Sequence, residues 1–475
     1  MKNKYFLNHV VIVFLLLALN SRLTNATIKL PAIFSDNMIL QQQSSVPVWG
    51  WAKSNVNVTV KTSWDGKIYS TKADQSGKWK LKVSTPKASE TSYSITISDG
   101  KPLMLENVLI GEVWVCSGQS NMEMQMKGRI NQPTEGSLND VLHAANKNIR
   151  LFTLAVNPAT TPQDTCSGTW LEATPASVYE FSAVAYYFGH LLNEVTNIPV
   201  GLIHTSLGGS RVEAWMTSNA MQGINKPLPA KDMIIKNPQT TPTVLFNGMI
   251  NPILGYGIRG AIWYQGESNR EEPDLYLTMF VRMVKEWRDL WGVGEFPFYY
   301  AQIAPYHYVK TLNSALLREA QLKAMSLIPH SAMAVNMDAN SPECIHPPRK
   351  KLISERLAYL ALGKTYGIKG FPCTSPDLKS YEVKGSVVEL TFEMPGNMGL
   401  TSFDKEIKGF VVAGSNKRFY PAAATISGNK VLVVSPNVTN PVAVRYAFED
   451  VATAELFSLD GLPVSSFRTD TWEVK

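Results

Sequence analysis

The sequence predicts an α/β protein: a parallel sheet flanked by helices, with a further β region at each end of the chain. Three observations predict it. From Gly111 onward, apolar strand segments alternate with segments whose apolar residues recur every three or four positions, the pattern of a parallel sheet covered on both faces by helices. Before Leu105 the apolar period is two instead, the mark of half-buried antiparallel strands, and after Gly367 short apolar strands return without helices between them.

The elements follow in order. The chain opens with Lys2 and Lys4, an apolar run from Val10 to Leu19, and the small-residue end Thr24-Asn25-Ala26. Residues 1–26 read as a secretory leader, because the run is far shorter than the roughly 20 apolar residues that cross a bilayer. An exported protein is expected, periplasmic, secreted or lumenal. Residues 27–105 carry VNVTVKTSW (Val56 to Trp64), KWKLKVS (Lys78 to Ser84) and YSITISD (Tyr93 to Asp99), broken at Asp65-Gly66 and Ser76-Gly77. This predicts a small β-sandwich-like domain.

Residues 106–367 hold the strand-helix alternation. Strands are predicted at Val200 to Thr205, Gly260 to Tyr264, Phe298 to Ile303 and Ala332 to Met337. One helical stripe runs through Val184, Phe188, Leu191 and Leu192, another through Leu277, Phe280, Val281, Val284 and Trp287. A helix from Arg349 to Leu362 closes the region. Residues 368–475 form a second β region, with strands at Ser386 to Glu393, Gly409 to Gly414, Lys430 to Pro436 and Ala443 to Phe448. No fixed-period repeat is present, which argues against a solenoid.

Charge and cysteine content narrow the function classes. The formal charge of +6 includes Lys2, Lys4 and Arg22 of the leader, and no Lys/Arg run or basic helix follows. Nucleic acid and an anionic membrane surface are therefore not expected partners, and no later segment is a membrane-span candidate. Four cysteines (Cys116, Cys166, Cys344, Cys373) in 475 residues are too few to frame the fold, and their spacing does not resemble a zinc site. A Cys344–Cys373 disulfide and buried free thiols stand as equal alternatives. With no metal, Walker or dinucleotide motif, no cofactor is expected.

Chemistry concentrates in GEVWVCSGQSNMEMQM (Gly111 to Met126). Glu112 to Cys116 read as a strand and Ser117-Gly118 as a bend, so Ser120 is delivered to a strand end. There a base and backbone N–H donors can converge on its hydroxyl. Three more segments carry suitable residues: HTSLGGSRVEAW (His204 to Trp215), AIWYQGESN (Ala261 to Asn269) and PECIHPPRK (Pro342 to Lys350). His346 follows a predicted strand, in a turn with Glu343 three residues before it. An imidazole suits a general base because its pKa lies near neutral.

GQSNM, GGS followed by EAW, WYQGESN and the acid-x-x-His-Pro turn, in this order, resemble the sialate O-acetylesterase family of the SGNH (GDSL-type) hydrolases. FSDNMILQQ (Phe34 to Gln42) and FNGMINPI (Phe246 to Ile253) extend the resemblance, which runs to about Gly370. It implies an SGNH-hydrolase-like sheet and a carbohydrate O-acetylesterase. Ser120 would attack, His346 would move the proton, and Glu343 would orient His346 where the family usually has aspartate. Glu267 is the second candidate acid and Asp338 the third. The oxyanion would be held by the Ser120 N–H, a glycine N–H from Gly208 or Gly209, and the amide of Gln265, a position where the superfamily often has asparagine.

Asn121, Arg211 and Asn247 are candidate substrate contacts. Arg211 would take the carboxylate of a sialic acid, or else pair with Glu213 or another acid. The expected partner is an O-acetylated sugar, a 9-O-acetylated sialate or an acetylated plant polysaccharide such as xylan. Competing readings are a lipase or thioesterase with the same constellation, and a carbohydrate-binding protein without catalysis.

Overall fold

Val113 and Val115 enter one apolar core while Trp114 and Cys116 enter another, and all four are fully buried. A strand covered on both faces shows no polar alternation, which is why residues 111–118 read as an unbroken apolar run. The computed structural model describes residues 28–308, 313–339, 342–394, 399–452 and 454–474. The leader expected over residues 1–26 lies outside them.

The N-terminal region contains β1 (Ile39–Gln41), β2 (Ser45–Trp51), β3 (Asn57–Thr62), β4 (Ile68–Lys72), β5 (Lys78–Ser84) and β6 (Ser89–Ser98). β2 and β5 make a two-stranded antiparallel ribbon, while β3 pairs with β4 and β6. β6 then pairs with the first part of β7 (Pro102–Gly118). β7 crosses the expected boundary between residues 105 and 106. Its start is mostly exposed, but from Val108 every residue is buried. One strand therefore serves both regions, and β1 lies parallel to it at Leu109 to Gly111.

Beyond β7 come α1 (Ser120–Glu123), α2 (Ser137–Leu142), β8 (Asn146–Thr153), β9 (Trp170–Ala173), α3 (Pro175–Tyr179), α4 (Ala183–Thr196), β10 (Val200–Ser206), β11 (Gly260–Tyr264), α5 (Pro273–Trp291), β12 (Phe298–Ala301), α6 (Ala315–Leu327), β13 (Ser331–Ala334) and α7 (Lys350–Leu360). The sheet order is β13-β12-β11-β7-β10-β8-β9. Every pairing along it is parallel except β8 with β9. The core on one face takes Val115, Ile203 and Trp263 with residues of α5 and α6, and the other takes Cys116, Leu202 and Ile262 with α4 and α7.

The C-terminal region is antiparallel β, including strands Val387–Glu393, Phe410–Ala413, Lys430–Val434 and Ala443–Tyr446. Buried Arg318 of α6 ties it to the sheet region by donating to Ser466 Oγ (3.1 Å) and to the Glu449 carbonyl. Among the described residues no helix is long and apolar enough to cross a membrane.

Candidate active site

β7, β10 and β11 run side by side in parallel, so the segments after them emerge at one edge of the sheet, where open α/β sheets place their ligands. Gly118 makes the exit from β7 possible. Its φ is +141°, and a Cβ there would come within 2.2 Å of the Tyr264 carbonyl oxygen, so only glycine lets β7 and β11 stay close through the bend. Gln119 then donates its N–H to that same carbonyl at 2.9 Å, and Ser120 begins α1. The Ser120 and Asn121 N–H groups open the helix, where the helix itself offers no acceptor.

Ser120 and His346 are each 8 % exposed, recessed yet reachable. They are brought together through their neighbours: Asn121 Nδ2 donates to the Ile345 carbonyl at 3.2 Å. Among the described residues the His346 ring hydrogen-bonds Gln132 and not Ser120 Oγ, as in free enzymes whose site contacts tighten only when substrate is bound. Gly208 lies against the serine, since a Cβ on it would meet Ser120 Cβ at 3.5 Å and Glu123 Oε2 at 2.7 Å. Gly209 turns the chain with φ +74°. Its carbonyl accepts from Ser268 Oγ at 3.0 Å.

Asn121 is the hub of a buried polar chain. Its Nδ2 also donates to Glu267 Oε1 (2.6 Å), and its Oδ1 accepts from Lys350 Nζ (2.5 Å). Glu267 is 3 % exposed, and its other oxygen has no partner among the described residues. Burial raises its pKa above the usual carboxylate value. Lys350 is wholly buried, and burial brings its ammonium down to about 7, against the opposing pull of Glu267. Asn121 is therefore a bridge inside the site, its amide shared between a carboxylate and the histidine loop.

His346 Nδ1 lies 2.5 Å from Gln132 Oε1, so the ring donates from Nδ1 and keeps the Nε2 lone pair available. Burial pushes the imidazole down to about 4, with the positive charges of Lys350 and Arg129 acting in the same direction. The loop bearing Gln132 is pinned by Arg129 Nη2 to Glu123 Oε2 (2.7 Å) and by the Glu135 N–H to the Pro348 carbonyl (2.9 Å).

Several expected roles do not match this placement. Glu343 is exposed and makes no hydrogen bond to His346; its turn directs it to the surface, and Gln132 occupies Nδ1 instead. Asp338 forms a two-pronged pair with Arg356 (2.6 and 2.7 Å), fastening α7 to the end of β13. Gln265 is fully buried with both amide hydrogens occupied, one on the Ser210 carbonyl (3.1 Å) and one on Asn269 Oδ1 (2.7 Å), so neither is left for an oxyanion. Asn269 in turn donates to Glu213 Oε2 at 2.9 Å.

Arg211 Nε sits 3.1 Å from Glu213 Oε1, out of line for a hydrogen bond, and its Nη2 pairs with Glu272; Lys226 joins the same two carboxylates at 2.9 and 2.7 Å. Asn247 donates to the Ala159 carbonyl at 3.1 Å and so braces a neighbouring loop. His204 is a core residue bonded to Ser206 Oγ at 2.6 Å, its pKa brought down to about 4 by burial. The four cysteines are free, and Cys344 Sγ donates to the His346 carbonyl at 3.0 Å. Among the described residues no group of His, Cys, Asp and Glu could hold a metal.

Sequence reading missed Gln132 and Lys350. Gln132 stands in an irregular loop with no periodicity to mark it. Lys350 carried a faint signal, since a cation at the first position of a helix opposes the helix dipole and calls for another reason to be there.

A recessed serine at a strand end, with a histidine loop bonded to the residue that follows it, belongs with the ester hydrolases of the α/β class. A family profile described as carbohydrate esterase, sialic acid-specific acetylesterase matches residues 110–348, and the chain belongs to that family. The sialate O-acetylesterase of Mus musculus is 25 % identical over 92 % of this chain and 92 % of its own. That of Homo sapiens is 29 % identical over 72 % of each. The crystal structure of a carbohydrate acetylesterase from Xanthomonas citri superposes with a TM-score of 0.85 at 34 % identity, covering 94 % of this chain and all of the other. The protein is thus an esterase, and its family implies an acetylated carbohydrate substrate.

Proposed function

We propose that the protein removes acetyl groups from neutral carbohydrate through an acetyl-enzyme on Ser120. The observation that carries this reading is the Asn121 bridge, which ties the serine turn to the histidine loop and to the buried Glu267 and Lys350. Ser120 Oγ attacks the ester carbonyl while its proton passes to His346 Nε2. The oxygen that becomes negative is met by the N–H groups of Ser120 and Gly208, where the backbone can approach without a Cβ in the way. Collapse expels the sugar oxygen, which takes the proton from His346. Water then adds to the acetyl-serine with His346 again as base, and acetate leaves.

Gln132 fixes the tautomer but brings no negative charge to the imidazolium. A neutral amide in the third position is the arrangement of Cys-His-Asn proteases, with the lower basicity of His346 as its counterpart. Neutral sugar is favoured over sialate because the cation expected to bind a sialate carboxylate, Arg211, already faces two carboxylates. The test is kcat/KM on acetylated xylan oligomers against a 9-O-acetyl sialate. The reading expects the neutral ester to be preferred, and a preference for sialate that disappears in Arg211→Ala would overturn it.

Export belongs to the same proposal and rests on the apolar run and small-residue end of residues 1–26. The amino terminus of protein recovered from outside the cytoplasm should begin close to Thr27.

A further inference from the structure

The ribbon of β2 and β5 leaves a cavity of about 430 Å³ against the sheet region, within the ~300–1,000 Å³ range of small-molecule sites. None of the residues around Ser120 and His346 lines it. The register sets Trp49 opposite Lys80 and Trp51 opposite Lys78, so two tryptophans and two lysines share one face of the ribbon. Both indoles are half-buried, while Val46 and Val48 earlier in the same strand turn to the core. Lys80 Nζ lies 5.6 Å from the centre of the Trp49 ring. From the other side the sheet region contributes Asp164, Asn251 and Leu254, and Lys78 pairs with Asp164 at 2.6 Å across the seam.

Indole rings in the wall of a cavity, edged by amide and charged groups, are the chemistry that binds sugar rings. The apolar C–H face of a pyranose stacks on the ring, and its hydroxyls meet donors and acceptors at the rim. The charges of the lining balance, Lys78 and Lys80 against Asp74 and Asp164, which matches a neutral ligand and gives no net attraction for a phosphate or uronate. A purely apolar ligand would have to desolvate those four groups without return.

We infer that this cavity is a second carbohydrate site, holding neutral sugar residues of the polymer whose acetyl groups the Ser120 site removes. The inference rests on the carbohydrate reading of that site. Holding the polymer at a second point raises its effective concentration at the serine without any new catalytic contact.

The experiment is migration of the full-length protein through affinity gels containing deacetylated xylan, glucomannan or xyloglucan, so that the esterase site has no ester to engage. Wild type and Ser120→Ala should be retarded equally by at least one polymer. Trp51→Ala and Leu254→Trp, the second of which fills the cavity, should lose retardation by about fivefold or more. Both variants should turn over nitrophenyl acetate within about twofold of wild type.

If Trp51→Ala loses that turnover through misfolding, Leu254→Trp decides alone. A folded cavity variant retarded like wild type, or a wild type retarded by none of the three polymers, overturns the second site. Retardation with no acetate release from the acetylated polymers would instead count against the esterase reading, so the two failures are distinguishable.

Discussion

Two polar networks meet at the same edge of the sheet, and their difference separates a candidate site from a brace. In the first, Asn121 joins Glu267, Lys350 and the loop of His346, and proton affinities are displaced: Glu267 upward, Lys350 down to about 7, His346 down to about 4. In the second, Gln265, Asn269, Glu213, Arg211, Lys226 and Glu272 tie the Ser210 loop to the segment after β11. The first holds ionisable groups away from their ordinary proton affinities beside a recessed serine. The second pairs two cations with two carboxylates. Displaced proton affinity next to a nucleophile points to function, whereas a closed set of pairs points to structure.

The largest expected effect would break the first network outright. Ser120→Ala or His346→Ala should lower kcat/KM by about 10³ or more, with the double variant little worse than either single one, because nucleophile and base act as a unit. Steady-state kinetics on nitrophenyl acetate check this, and losses that multiply would contradict a shared role.

Removing the hidden members should cost less. Gln132→Ala leaves the buried Nδ1–H without its acceptor and should cost about 1–3 kcal/mol, roughly 10- to 100-fold in kcat/KM. Lys350→Met should lower kcat by a comparable factor by freeing Asn121, yet leave stability at pH 6 undiminished. The sign follows from the lowered pKa: the folded state disfavours charged Lys350, so native lysine contributes less stability below pH 7 than above it, and the deficit is relieved as pH rises from about 7 towards the usual lysine value. Thermal melts of both proteins at pH 6 and pH 9 measure it.

The pH profile sharpens the same contrast. On the proposed mechanism His346 works as the free base, so kcat/KM should climb with pH through about 4 and be level by pH 6, where an ordinary imidazole is still mostly protonated. Gln132→Glu would set a carboxylate on Nδ1, favour the imidazolium and move that limb to higher pH. A wild-type limb near 6.5 would mean that the imidazole is not desolvated in solution.

The brace should fail differently. Gln265→Ala should destabilise by about 1–3 kcal/mol in denaturant melts, with kcat per folded molecule nearly unchanged, since the buried Ser210 carbonyl loses its donor and Asn269 Oδ1 keeps only the Val212 N–H. The smallest effect belongs to Glu343→Gln, within about threefold in kcat/KM, because Glu343 does not reach the imidazole.

The fold was legible because its signals are local. The unbroken apolar run ending at Gly118 and the stripe through Phe280, Val284 and Trp287 each depend on neighbours within a few residues. The placement of Ser120 at a strand end and of His346 after another strand was legible for the same reason. What the sequence concealed is pairing across the fold. Glu343 is three residues from His346 and turns away, while Gln132 is 214 residues away and touches it. Gln265 stands in the motif next to the site, but its amide hydrogens face the brace. Side-chain direction in a turn and contacts between distant loops leave no period to read.

On the proposed mechanism Ser120, activated by His346, forms the acyl-enzyme. Intact-protein and peptide mass spectrometry after a brief exposure to a fluorophosphonate at pH 6 tests it most directly. A single adduct on the Ser120 peptide is expected, absent in Ser120→Ala and formed far more slowly in His346→Ala. An unlabelled protein that still hydrolyses acetyl esters, or a label on another residue, would contradict it.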